Sequence, residues 1–525
     1  MKARFPHQKE WFEKTKDRPF FAFEWEVRGG KSIPAIDTAV YNFEQGRIDA
    51  VLLVCPNMVD LNWSRINLFE YLLEMKAGHL EDLNKNSIKV MEESKILEWN
   101  RSESKATKQS REDILSHPGL IWFCVNLEGI ADRMNSKGRV VSSRMQEYIE
   151  VFLKRRKVML VLDESHKFKS PTSACTKAMI RLAPDTIMRR NLTGTPSGGS
   201  PFDLWSQYHI GDMFIIHNEL GQPMIWTDFK NTFAIWKREY AYGRSFNVID
   251  TSQGDAGYHN LDKLYAMIDP HRSRITQKEL KEMYPATFGF FKEPVEEKRV
   301  FEMAPHQWKV YCEIRDEMIA QLDSGETITA EQKMTNMLRL QQISRGYVGG
   351  VTPGQVIDLG PPYPSIDALL GDIEQVEGKI IVWCNFTPDV ELILRSLYKE
   401  KIRAVRYDGL VSKEDRLKNM QQMWEDPTLR VMVGNPAAGA IGSDFAFAAT
   451  MINYSFDYDL IKRAQAIGRF QGPKQTAAAL LLVDFVAANT NDIVCLSRLE
   501  SKMEINDILT GDSERFKKFL LGERL

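Results

Sequence analysis

The feature that most narrows the fold is a series of short Val-, Ile- and Leu-rich runs, each closed by a turn and most followed by a charged segment with helical spacing. In the first half they are residues 50–56 (AVLLVCP), 120–126 (LIWFCVN), 158–164 (VMLVLDE) and 188–196 (MRRNLTGTP). The second half repeats the pattern at 379–386 (KIIVWCNF), 402–409 (IRAVRYDG), 429–436 (LRVMVGNP), 450–455 (TMINYS) and 479–486 (ALLLVDFV). Runs that are apolar on both faces suit central strands of a parallel sheet covered by helices, and segments such as 389–400 (DVELILRSLYKE) and 413–426 (KEDRLKNMQQMWED) supply those helices. Two such series predict two α/β lobes rather than one oversized sheet.

The length, 525 residues, is more than one core can serve and fits two or three domains. The expected boundaries are a first lobe over 1–201, an aromatic, irregular accessory insertion over 202–293, and a helical lead-in with the second lobe over 294–525. With 43% hydrophobic and 27% charged residues the chain is globular, and a formal charge of −2 excludes a global basic field. Contact with nucleic acid therefore has to come from a local groove. Cys55, Cys124, Cys175, Cys312, Cys384 and Cys495 are scattered without ligand spacing, so reduced, mostly buried thiols are expected rather than zinc or disulfides. The opening MKARFPHQKEW lacks a signal-peptide core and no apolar run reaches membrane-spanning length, from which a cytoplasmic protein is expected. The basic run Lys154-Arg155-Arg156-Lys157 reads as a solvated strand start.

Three turns carry chemistry. Residues 23–37 (FEWEVRGGKSIPAID) hold Gly29, Gly30, Lys31 and Ser32 ahead of a helical pattern, as a loop that cradles phosphate requires: backbone amides for oxygens, a Lys for the outer phosphates, a hydroxyl for Mg²⁺. Residues 158–166 (VMLVLDESH) set Asp163 and Glu164 at the end of an apolar strand, where a carboxylate can hold a metal and its neighbour can orient or deprotonate water. A helix cap is the plainer alternative for Asp163. Residues 191–196 (NLTGTP) end another run with Thr193 and Thr195 in a turn.

In this order the three motifs resemble motifs I, II and III of superfamily 2 helicases, most closely the SNF2-like group and its compact phage-encoded members. The likeness spans nearly the whole chain. Residues 5–11 (FPHQKEW) resemble the adenine-reading motif with Gln8, 54–63 (VCPNMVDLNW) motif Ia with Asn57, and 124–129 (CVNLEG) motif Ib with Asn126. The stretch 338–347 (LRLQQISRGY) is similar to the helix before the second lobe, 434–450 to motif V with Asn435 and Gly442, and 465–470 (QAIGRF) to motif VI.

The resemblance implies two RecA-like lobes in tandem, with ATP and Mg²⁺ as cofactors. Gln8, Arg28, Gly29, Gly30, Lys31, Ser32 and Gly442 would bind nucleotide, Ser32 and Asp163 the metal, and Asp163, Glu164, Lys31, Gln465 and Arg469 would serve hydrolysis. It implies His166 and Thr193 as coupling residues, and Asn57, Asn126, Thr195 and Asn435 as contacts to nucleic acid. Trp383 and Phe386 are read as core before base-stacking residues.

Two positions depart from the family pattern: Arg28, where glycine is usual, and Gly472, where a second arginine normally follows Arg469. Asp444 stands where asparagine is common, and Lys474 is a candidate substitute for the missing arginine. The expected function is an ATP-dependent translocase or helicase on single-stranded, forked or branched DNA, with RNA not excluded. The alternatives are an ATP-responsive clamp with impaired hydrolysis and the motor subunit of a larger complex.

Overall fold

A computed structural model describes the chain apart from residues 1–3, 27, 57–62, 64–67, 69–84, 100–103, 132, 135–139, 198–199, 242–243, 251–252, 255–256, 286–291, 325–329, 350–354, 437–444, 456–459, 472–474, 501–517 and 523–525. It divides into two compact units, residues 1–283 and 284–525.

The first unit is built on strands β1 (Phe20–Trp25), β2 (Ala50–Cys55), β3 (Lys95–Glu98), β4 (Ile121–Asn126), β5 (Val158–Asp163), β6 (Met188–Leu192) and β7 (Arg272–Ile275). They form a seven-stranded sheet in the order β7-β1-β6-β5-β2-β4-β3, and every pairing in it is parallel. β2 is buried along its whole length, as a strand covered on both faces must be. Leu52, Val54, Phe123, Val125, Leu160 and Leu162 point to one face, against Ile149 and Phe152 of helix Arg144–Arg155 and Met179 of helix Ala174–Leu182. Each such side chain contributes about 1.5–3 kcal/mol by leaving water.

The edge strand β7 comes from the segment that the sequence marks as accessory, and a buried polar group fastens it. Glu24 of β1 accepts from Tyr208 Oη at 2.8 Å and from Arg272 at 3.0 Å. Burial pushes the Glu24 carboxyl above its ordinary range against the pull of Arg272. A glutamate inside an aromatic strand thus fixes both β7 and helix Phe202–Gly211. That helix shares a satellite core with Phe229, Phe233, Leu264 and Ile268, packed on Phe20. Among the described residues the fully buried Arg190 takes no carboxylate; its guanidinium donates to Thr15 O, Arg18 O and Arg189 O, closing the end of helix α1 (Pro6–Thr15).

The basic run at 154–157 is spent locally. Arg155 pairs with Glu112, while Arg156 donates to the carbonyls of Leu115 and His117 and lies 3.6 Å from Asp49.

The second unit holds β8 (Val295–Phe301), β9 (Ile380–Trp383), β10 (Ala404–Tyr407), β11 (Val431–Gly434), β12 (Thr450–Asn453) and β13 (Leu481–Ala487). This six-stranded parallel sheet runs β8-β13-β12-β9-β11-β10. Trp383 is buried on it beside Tyr407 and Phe445, the core role expected of it. Helices Pro305–Asp323 and Ala330–Ser344 pack on each other through Tyr311, Met318, Met337 and Leu340. Arg345, at the end of the second, donates to Tyr454 O and Phe485 O and lies over the Phe301 ring, tying the helix pair to the sheet. The two parallel sheets with flanking helices match the expected fold class. Among the described residues no helix is long and apolar enough to cross a membrane.

Candidate functional site

Strand order brings the three motif turns together. β6 lies between β1 and β5, and the register sets Phe23 beside Leu192 and Leu192 beside Asp163. The turns after three adjacent parallel strands therefore leave the same edge, the usual place for a ligand in an open α/β sheet.

The loop after β1 closes through Gly29 N to Glu26 O at 3.0 Å, and helix α2 (Ser32–Glu44) starts immediately after it. Arg28 and Gly30 both take left-handed backbone angles, φ 72° and 74°. A Cβ on Gly30 would stand 2.2 Å from Gln8 Nε2, and one on Gly29 would stand 2.9 Å from Trp25 Cβ. Space favours glycine at 29, where the near atoms are Trp25 Cβ and the Glu26 carbonyl, and the left-handed angle together with the buried Gln8 amide favours it at 30, whereas Arg28 adopts the turn despite its side chain. Lys31 Nζ donates to Trp25 O at 2.7 Å, so its ammonium folds over its own loop.

The segment around Gln8 braces this loop. Gln8 is buried; its Oε1 accepts from Phe5 N at 2.8 Å and its Nε2 donates to Gly30 O at 3.1 Å. His7 Nε2 lies 3.1 Å from Gly29 O, and its ring meets Trp25 edge-on. Burial holds the His7 imidazole below its ordinary pKa against the pull of that carbonyl. On the other side Glu26 accepts from Gln277 N at 2.8 Å and its own amide donates to Ile275 O, so β7 and the helix after it buttress the loop.

After β5, Asp163 does not cap a helix. Its Oδ1 accepts from Glu164 N at 3.0 Å and its Oδ2 from Trp63 Nε1 at 2.7 Å. Glu164 sits at φ 55°, a left-handed angle that costs an L residue roughly 1–2 kcal/mol. Backbone strain of this kind gathers at working sites. His166 Nδ1 lies 3.1 Å from Thr193 Oγ1 and 3.3 Å from Glu164 Oε2, and Thr195 N donates to Thr193 Oγ1 at 3.2 Å. Glu164, His166, Thr193 and Thr195 are thereby joined in one polar chain. Thr195 Oγ1 is buried without a hydrogen-bond partner among the described residues.

The residues present suit a nucleoside triphosphate with Mg²⁺. A left-handed turn at Gly30, helix amides that lack intrahelical acceptors, the Lys31 cation, the Ser32 hydroxyl and the Asp163 carboxylate form the donor set such a group needs.

In the second unit Gln465 and Arg469 lie on helix Leu460–Phe470. Arg463 pins that helix to β13 with a bidentate pair to Asp484 at 2.7 and 2.8 Å, and Asn453 adds a donor to the same carboxylate. Gln465 is buried and Arg469 partly so. Asn435 Nδ2 donates to Asn385 O at 3.0 Å, and Asn126 Oδ1 caps the following turn by accepting from Gly129 N. Both candidate nucleic-acid residues therefore also carry a local structural bond. Phe386 is half-buried at the start of helix Thr387–Lys399. Asn57, Gly442, Asp444, Gly472 and Lys474 lie outside the described residues.

Sequence reasoning missed Gln207. Its Oε1 accepts from Ser165 Oγ at 2.9 Å and its Nε2 donates to Pro196 O at 2.6 Å, bridging the Asp-Glu-Ser-His turn and the Thr-Gly-Thr-Pro turn. It sits in helix Phe202–Gly211 beside other polar residues, Asp203, Ser206 and His209, and nothing in its spacing announces the contact. Trp63 and His7 were within reach, since each belongs to a motif already singled out.

The sequence profile of the SNF2-related domain matches residues 26–346, more than half of the chain, and that of the helicase conserved C-terminal domain matches residues 364–471. Among curated proteins, the human DNA annealing helicase and endonuclease ZRANB3 is 21% identical over 365 residues, 68% of this chain and 30% of that protein. Human lymphoid-specific helicase is 24% identical over 144 residues, 27% of this chain and 17% of that protein. The chain thus spans less than a third of the length of these relatives. A solved Sulfolobus solfataricus SWI2/SNF2 ATPase core in complex with dsDNA aligns over 100% of this chain and 98% of that one, at 16% identity and a TM-score of 0.36.

Proposed function

This chain belongs to the SNF2-related family, and we propose that it is a DNA-dependent ATPase that turns nucleotide hydrolysis into movement along DNA. The observation that carries the proposal is the convergence of the Gly-Gly-Lys-Ser, Asp-Glu-Ser-His and Thr-Gly-Thr-Pro turns at one end of β1, β6 and β5.

In this reading Gln8 takes the base edge, the amides of Arg28 to Ser32 and the Lys31 ammonium take the phosphates, and Ser32 and Asp163 take Mg²⁺. Held there, Mg²⁺ would supply charge neutralisation for the phosphates. Glu164 orients and deprotonates the attacking water, while His166 and Thr193 link its carboxylate to the Thr195 turn. On the second unit Gln465 and Arg469 would serve hydrolysis and Gly442 nucleotide binding. An arginine finger of this type contributes on the order of 10³ to 10⁵ in rate. DNA is held through its phosphates by Asn57, Asn126, Thr195 and Asn435, with little sequence preference. Replication, recombination, branch migration and repair are the settings that such a motor serves.

The alternative of an ATP-responsive clamp rests on Arg28 and Gly472. The glycine-like φ of 72° at Arg28 supports turnover instead, because the loop keeps its close turn. The test is ATP hydrolysis with single-stranded, duplex, forked and four-way-junction DNA and with RNA, beside Lys31→Ala and Glu164→Gln. DNA should stimulate the wild type and leave both variants at background. Absence of stimulation at every salt concentration refutes the motor, and ATP-tightened DNA binding without turnover identifies the clamp.

A further inference from the structure

We propose that Trp63 is a positioning residue for Asp163, its indole N–H orienting the carboxylate toward the metal of the nucleotide. The inference rests on the ATPase reading and adds a residue to it.

The indole Nε1 lies 2.7 Å from Asp163 Oδ2, and Trp63 is fully buried. Asp163 Oδ1 accepts from Glu164 N at 3.0 Å. Each carboxylate oxygen thus has its own donor, one from the segment after β2 and one from the strained backbone after β5, and together they fix the plane of the group. β2 and β5 are neighbours, with Val54 beside Leu162, so both parallel strands end at the same edge of the sheet.

The chemistry of the donor is specific. An indole N–H donates and cannot accept, so it matches an ionised carboxylate. A buried donor facing a charge also makes a stronger bond than a neutral pair. Burial alone does not force this pairing, because the indole nitrogens of Trp122 and Trp383 are buried without a hydrogen-bond partner among the described residues. Outer donors of this kind hold metal ligands in orientation, and their loss typically weakens metal affinity by about 10- to 100-fold.

The test is Mn²⁺ binding to the full chain in saturating ADP, read by electron paramagnetic resonance, for wild type, Trp63→Phe, Asp163→Asn and the double variant. Trp63→Phe should weaken Mn²⁺ roughly tenfold with metal-free ADP affinity unchanged. The double variant should bind no more weakly than Asp163→Asn alone. Equal Mn²⁺ affinity in wild type and Trp63→Phe overturns the inference, and so does a Trp63 defect that adds to that of Asp163→Asn. A wild type that binds ADP and Mn²⁺ separately but never together removes the nucleotide-site reading and this inference with it. A second measurement leaves the tryptophan in place: in ¹⁵N-indole-labelled protein the Trp63 N–H proton should move upfield in Asp163→Ala, and an unmoved resonance refutes the contact.

Discussion

Arg28→Gly isolates the backbone cost of the nucleotide loop. Arg28 holds φ 72° in a turn that continues through Gly29, where a Cβ would meet Trp25, and Gly30, which takes the left-handed angle at φ 74°. An L residue in this region costs about 1–2 kcal/mol, and glycine is free of that cost. Glycine also loosens the unfolded chain, which gives back about 0.4–1 kcal/mol. The net expectation is a gain of about 0.5–1 kcal/mol in the first unit. At roughly 2–4 °C per kcal/mol for a domain of that size, the melting transition should rise by about 1–4 °C. Arg28→Ala is the matched control, since it removes the same side chain but keeps the Cβ, so the Gly-minus-Ala difference reports the backbone alone. The assay is calorimetry of both variants with fluorescent-ADP binding alongside, and ADP affinity should survive in Arg28→Gly. Gly30→Ala bounds the other side: with φ 74° and a 2.2 Å approach to Gln8 Nε2 it should abolish ADP binding. Equal melting of Arg28→Gly and Arg28→Ala, or a less stable Arg28→Gly, would refute the reasoning.

Gln207→Leu removes the bridge between Ser165 and Pro196. Each buried partner left unsatisfied costs about 1–3 kcal/mol, so the variant should be measurably less stable to urea. Its kcat for ATP should fall roughly tenfold or more with KM little changed, because the two turns lose register while the phosphate loop stays intact; a KM effect alone points to a different role. Asp389 is fully buried in the second unit, where it accepts from Tyr347 Oη at 2.7 Å and from Ser455 Oγ. Burial pushes its carboxyl up to about 6 in spite of those donors and Arg345. An unfolded Asp titrates near 3.9, so between about pH 4 and 6 the folded chain holds a proton that the unfolded one has released. This group's contribution is therefore greatest at low pH and declines as pH rises through that window, by ~3 kcal/mol in all. Asp389→Asn should flatten that dependence in urea unfolding of the second unit, and an unchanged slope counts against the buried carboxyl as its source.

The interior of both sheets was legible because interior strands are buried on both faces. β2, β4, β5 and β6 and then β9 and β11 to β13 coincide with the apolar runs read from the sequence, and so does β10, although it stands at an edge. Edge strands β3, β7 and β8 were not, because one side of an edge meets solvent: Arg272–Ile275 (RSRI) and Val295–Phe301 (VEEKRVF) carry charges that no apolar pattern marks. β1, with its buried Glu24, was obscured by the loop that follows it.

The sequence by itself determined the chemistry on offer: which turns carry Lys31, Ser32, Asp163, Glu164 and Thr193, and that the last three follow apolar strands. That information is local, since strand periodicity and turn residues act over a few positions. Only the tertiary structure decided who braces them. The β1-β6-β5 order sets the three turns side by side. Long-range contacts place Gln8 under Gly30, Trp63 on Asp163 and Gln207 between two motifs. The backbone at Arg28 likewise takes a glycine's angle, φ 72°, which no residue type at that position announces. Such contacts depend on which distant segments the sheet brings together, and no spacing along the chain encodes that.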